Sequence, residues 1–253
     1  MNGKFSNDYL LDKKVKIFQP IDGYRASTDA VLLAAAVDIA SGKKIKILDV
    51  GSGTGAVSLC LAQRCGGNKC EIHGLELQPE LAALANYSAQ ENNFDFVHFF
   101  NEDIRGKINC EQVKPCEYNV VVTNPPYSEN DMPSPNQSKA TAHNHSQFSL
   151  RQWLLFCLKM TRPFGRIYMI NRVEALPVFI ETLHESVGGI TILPIYSKEN
   201  QEAKRIIVMA QKDSKSPCRI LKPFVTHSDE GSYTDKAQQI LRGGKSFKDL
   251  AEI

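Results

Sequence analysis

Residues 44–56, KIKILDVGSGTGA, constrain the fold of this chain more than any other stretch. The apolar, β-branched run ending at Val50 reads as a buried strand. Gly51, Gly53 and Gly55 then supply a tight turn whose backbone angles other residues adopt only with strain. The following AVSLCLAQRC is long and apolar enough for a helix. A strand feeding a helix through such a turn is half of a parallel crossover unit.

The rest of the chain repeats this alternation. Strand candidates lie at 44–50, 70–77, 97–103, 117–124, 165–172, 188–197 and 203–212. Between and around them run helical patterns at 27–40, from Pro79 through 93, at 149–160, 174–186 and 234–243. Ser27 or Thr28 is expected to cap the first of these, with Asp29 in its first turn. The expected architecture is α/β, a seven-stranded, mostly parallel sheet with helices on both faces. The link between the last two strands, KENQE, has no room for a helix, so the last strand is expected to enter antiparallel. The whole chain, 1–253, reads as one domain, with extensions 1–43 and 213–253 packed on or beside it; the tail after 243 carries no signal.

With 253 residues, 42% hydrophobic and 23% charged, disorder and fibrous repeats are excluded. The net charge of +2 is too small to announce a nucleic-acid binder by itself. The basic runs at 13–16, 43–46 and 212–222 read as solvated faces, with phosphate contact as the alternative. Seven cysteines form no CxxC pair and read as reduced thiols. The first thirty residues hold no apolar core of the secretory kind, and no stretch reaches the ~18 apolar residues of a membrane span. A cytoplasmic location is expected, with no membrane, no metal and no obligate protein partner.

Gly51, Gly53 and Ala56 also satisfy the dinucleotide pattern G-x-G-x-x-A, and Glu76 stands where an NAD ribose would be held. Asp49 tilts the choice. Its carboxylate would crowd a pyrophosphate, whereas it suits a cofactor carrying an ammonium and a sulfonium. With this loop and carboxylate, the chain resembles the class I, Rossmann-like methyltransferases over roughly residues 17–212. That resemblance implies S-adenosyl-L-methionine as cofactor, wrapped at its methionyl end by Asp49, Gly51, Gly53 and Gly55. It also implies a Glu76 that accepts both ribose hydroxyls and an Asp103 near the adenine amine.

NVVVTNPPYSEN (119–130) ends a strand with an amide, two prolines and a ring. The lone pair of an exocyclic amine is delocalised, so the amine is a poor nucleophile. The Asn124 side-chain oxygen and the Pro125 carbonyl would accept its hydrogens and stabilise the charge that develops. Pro125 and Pro126 set the carbonyl direction in advance, and Tyr127 offers a face for an unstacked base. Asn124 to Tyr127 resemble motif IV of the amino-methyltransferases and are the expected catalytic residues, Asn124 also lining the cofactor site. The polar stretch 128–147 reads as a lid or binding loop, with Lys139, His143 and His145 as candidate contacts to an RNA backbone.

An adenine in DNA, a base in RNA and a glutamine amide in a release factor all remain substrates for such a site. The chain has no room for a DNA-recognition segment, and only about forty residues precede the first strand. The flanks 18–37 and 205–243 resemble the bacterial methyltransferases that modify an adenine N6 next to the anticodon of a valine tRNA. In that family Gln19, Arg25, Thr28 and Asp29 close over the cofactor. The reading that results is a tRNA adenine-N6 methyltransferase acting by direct in-line transfer. N5-glutamine methylation of a release factor is the alternative, and a non-catalytic RNA-binding subunit is a third.

Overall fold

The apolar runs pair as their alternation predicts. The computed structural model describes residues 5–22, 25–39, 44–67, 70–126 and 148–252. Its parallel centre consists of β3 (Ile45–Val50), β4 (Cys70–Glu76), β5 (Val97–Asn101), β6 (Tyr118–Thr123) and β7 (Thr161–Arg172). β8 (Val187–Tyr196) and β9 (Arg205–Lys212) complete the seven, β9 lying antiparallel between β7 and β8. The order across the sheet is β8, β9, β7, β6, β3, β4, β5.

Two short strands that the sequence did not signal, β10 (Arg219–Ile220) and β11 (Phe224–Val225), add to the free edge of β8, so the sheet has nine strands among the described residues. Each is two residues long, too short for a period-two pattern to stand out. A separate hairpin, β1 (Phe5–Leu10) with β2 (Val15–Pro20), precedes the sheet. β2 is held by α3 (Pro79–Glu91) and its cap. Asn92 Oδ1 accepts from Lys16 N–H at 2.8 Å, Asn92 Nδ2 donates to Lys16 O at 2.7 Å, and Ser88 Oγ accepts from Phe18 N–H at 3.0 Å. Side chains of a helix thus satisfy backbone groups that would otherwise be buried without partners.

Helices cover both faces. α1 (Thr28–Ala36), α2 (Ala56–Cys65), α3 and α6 (Asp235–Leu241) pack one face through Leu32, Leu59, Ala85 and Ile240 against Ile47, Ile72 and Val122. α4 (Leu150–Met160) and α5 (Leu176–Leu183) pack the other through Leu154, Met160 and Phe179 against Leu48, Val121 and Met169. Alternate residues of each strand therefore serve opposite cores.

α1 stops at Ala36, short of the expected residue 40. The Arg64 guanidinium donates to Ala34 O and, at 3.0 Å, to Val37 O, terminating the helix from a neighbouring one. Ser27 is its cap, accepting from Asp29 N–H. The tail is also structured: Phe247 is fully buried, its N–H donates to Ala35 O at 3.1 Å, and its ring meets Phe224 edge-on at 4.8 Å. Cys65 and Cys70, expected as thiols, form a disulfide with Cα atoms 6.1 Å apart. They end α2 and begin β4, and the left-handed Gly66 and Gly67 turn the chain back so that the two meet. Among the described residues no helix is long and apolar enough to cross a membrane.

Candidate active site

β3 is the point where the strand order reverses, with β4 and β5 on one side and β6 and β7 on the other. Open α/β sheets bind ligands in the crevice at the carboxyl ends of such strands. Register places Val50 beside both Leu75 and Thr123. The chain therefore leaves the sheet at Gly51, Glu76 and Asn124 around one opening.

The glycine loop forms one wall. Gly51, Gly53 and Gly55 take φ of 72°, 55° and 86°, the left-handed region open to glycine. A Cβ on Gly55 would lie 2.6 Å from the Phe99 ring, so close packing bars a larger residue there too. Gly51 N–H and Ser52 N–H both donate to Leu75 O at 2.9 Å, and Gly53 N–H donates to Glu76 Oε2 at 2.8 Å. Glu76 Oε1 accepts from Gln78 N–H at 2.9 Å. Leu77 N–H also bonds this carboxylate, which with about four acceptor positions in all still keeps capacity for a ligand.

Asp49 and Glu76 are both buried. Burial raises the Asp49 pKa to about 7, against the donation of Ser58 Oγ at 2.8 Å, and the nearby Glu76 charge adds to the rise. Burial likewise raises Glu76, although backbone N–H groups of Gln78 and Gly53 oppose it. Ser52 Oγ, Thr54 Oγ1 and Asn124 Oδ1 are buried side-chain atoms without a hydrogen-bond partner. A ligand bearing positive charge would relieve the cost of ionising Asp49 and Glu76. The donor set fits S-adenosylmethionine.

Asn124 follows Thr123 at the end of β6. Among the described residues its Oδ1 accepts nothing, and Pro125 beside it is buried and has no N–H to offer. An amide oxygen so placed is an acceptor waiting for a donor.

The remaining predicted residues are arranged differently. Gln19, buried, accepts from Ala26 N–H at 2.7 Å and donates to Asp8 at 3.1 Å. Arg25 donates to Asp8 at 2.6 Å, to Ser6 Oγ and to Pro20 O. Both are thus engaged with the β1–β2 hairpin. Asp29 pairs with Arg205 at 3.0 Å, and Thr28 is exposed. Asp103, half-exposed, receives a two-pronged bond from Arg105, which holds its carboxyl below the usual range. Tyr127, Lys139, His143 and His145 lie outside the described residues. Sequence reasoning missed Asp8, Arg205 and Trp153, since partners far apart in the chain leave no spacing signal.

The family described as "Methyltransferase domain" matches residues 41–228. A tRNA1(Val) (adenine(37)-N6)-methyltransferase of Actinobacillus pleuropneumoniae is 33% identical over 186 residues, covering 73% of this chain and 75% of its own. One of the same name from Dyadobacter fermentans is 24% identical, covering 93% and 96%. In fold, the chain is similar to the crystal structure of a predicted O-methyltransferase from Agrobacterium tumefaciens, with TM-score 0.69, 21% identity and coverage of 86% and 97%.

Proposed function

Because the chain belongs to the tRNA1(Val) (adenine(37)-N6)-methyltransferase family, we propose that it methylates N6 of the adenine next to the anticodon of a valine tRNA. When bound, S-adenosylmethionine supplies an electrophilic methyl group on a sulfonium. Asp49, Gly51, Gly53, Gly55 and Glu76 are the residues that would hold it, Glu76 through its remaining acceptor capacity. Asn124 Oδ1 and the Pro125 carbonyl take the two hydrogens of the target amine and favour its pyramidal form, which frees the nitrogen lone pair. The methylated nitrogen is acidic enough to lose its extra proton to solvent, so the chain need supply no strong base.

The observation that carries this reading is the buried, unpartnered Oδ1 of Asn124 beside the glycine loop. The family resemblance assigns Gln19, Arg25, Thr28 and Asp29 to the cofactor side of the site, and the reaction requires the target base to leave its stack. The extensions before β3 and after β9 belong to the same domain, and the protein works in the cytoplasm without an obligate subunit. Incubation of the purified protein with methyl-labelled cofactor and either total tRNA or release factor tests the proposal. Label is expected in tRNA, as N6-methyladenosine beside the valine anticodon by nucleoside mass spectrometry. Label in release factor, or in neither, overturns it.

A further inference from the structure

Trp153 is the single tryptophan of the chain and sits on α4, away in sequence from both walls of the crevice. Its Nε1–H donates to Thr123 Oγ1 at 2.8 Å, and the Thr123 hydroxyl donates onward to Val50 O at 2.9 Å. Thr123 is fully buried and is the register partner of Val50. The edge of the indole also fills the space beside Gly51, where an added Cβ would lie 2.7 Å from Cζ2 and 2.8 Å from Cη2. One side chain therefore touches the first residue of the glycine loop and bonds the residue preceding Asn124.

The support behind the indole is fixed as well. α4 starts with a capping box, in which Ser149 Oγ accepts from Gln152 N–H and the Gln152 side chain accepts from Ser149 N–H. The Phe148 ring lies 6.1 Å from the indole. A tryptophan present only for packing needs any acceptor for its N–H. Here the acceptor is a hydroxyl that is itself spent on the neighbouring strand, so the two bonds form a directional bridge between the ends of β3 and β6.

We infer that Trp153 is a positioning residue of the methyl transfer, setting the distance between the cofactor loop and Asn124 through Thr123 and Gly51. The inference rests on the methyltransferase reading above. An in-line displacement depends steeply on that separation: a shift of about 1 Å costs on the order of a hundredfold in rate. Trp153→Phe keeps an aromatic ring in the space but removes the donor. Thr123→Val keeps the shape of Thr123 but removes the hydroxyl, and Thr123→Ser restores it.

Single-turnover transfer to tRNA, measured beside cofactor affinity and tRNA affinity, tests the bridge. Trp153→Phe and Thr123→Val are each expected to slow transfer by about 10- to 100-fold with both affinities within about threefold. The double variant should be no slower than either single one, and Thr123→Ser should return close to the original rate. Because the indole is the sole tryptophan, its fluorescence should change when S-adenosylhomocysteine fills the site. Variants that transfer at the original rate, whatever their melting temperature, overturn the inference, as does fluorescence blind to a saturating ligand. Should Trp153→Phe not fold, the two Thr123 variants decide alone. A parent protein that methylates no tRNA would end the functional reading instead, a different result from an active parent with equally active variants.

Discussion

The loop after β3 and the segment after β6 stand side by side at the switch point, yet they are held by opposite means. Gly51, Ser52, Gly53 and Gly55 each place their backbone N–H on an acceptor of the protein itself, Leu75, Glu76 or Ser52. Among the described residues the side-chain oxygen of Asn124 has no partner, and the residue lies between β6 and two prolines. The backbone of the first region is held before any ligand comes, although the Ser52 and Thr54 hydroxyls have no partner among the described residues. Under the proposed function, the second is completed by the amine it acts on. That division matches the chemistry: a cofactor needs a constant seat, whereas acceptors for a transferring amine should find their donors only in the reacting complex.

Breaking the second region should cost most. Asn124→Ala is expected to lower single-turnover transfer by about two to three orders of magnitude while calorimetry finds cofactor affinity little changed. An unaltered rate would remove the role given to that amide.

Breaking the first should act on binding. Glu76→Ala takes away the acceptor for Gly53 N–H and the acceptor capacity left for a ligand, so cofactor affinity should fall by roughly tenfold to a hundredfold. A binding constant like the parent's would show that the carboxylate holds only the loop.

The pH dependence of the cradle follows from Asp49. Its pKa of about 7 means the carboxyl is largely protonated below neutrality, and a cationic ligand favours the ionised form. Cofactor affinity should therefore rise with pH up to about 7, by at most about tenfold per unit, and level off above. Folding stability runs with the opposite sign. The buried neutral carboxyl favours the folded state at low pH, and that contribution is lost as pH rises through about 7, so thermal melts of the ligand-free protein should weaken over that window. Asp49→Asn should flatten both curves.

Asp103 sharpens the contrast from the other side. It is already committed to Arg105 and half-exposed, and such pairs contribute about 0–1 kcal/mol. Asp103→Ala should change cofactor affinity by less than about threefold; a larger loss in a titration would restore it as an adenine contact.

Much of this was legible in the residues alone. Apolar β-branched runs, the glycine turn after Asp49 and the prolines after Asn124 are local signals, because backbone angles and side-chain periodicity act over a few residues. They suffice for the seven strands, for the antiparallel β9 and for both walls of the crevice. Other features left no local trace. α1 ends early because Arg64 of another helix takes its carbonyls. The tail was silent because Phe224 and Phe247 find each other across more than twenty residues. Cys65 and Cys70 looked like separate thiols until the turn between α2 and β4 brought them together.

By itself, then, the sequence determined the seven long strands, the glycine turn after β3 and the amide and prolines that end β6, since each rests on short-range stereochemistry. Only the tertiary structure decided that Asp8 engages Gln19 and Arg25, that Arg205 pairs with Asp29, and that one indole bridges Gly51 and Thr123. Those pairings join residues up to 176 positions apart. Packing of the finished sheet and its helices selects them, and no pattern along the chain encodes them.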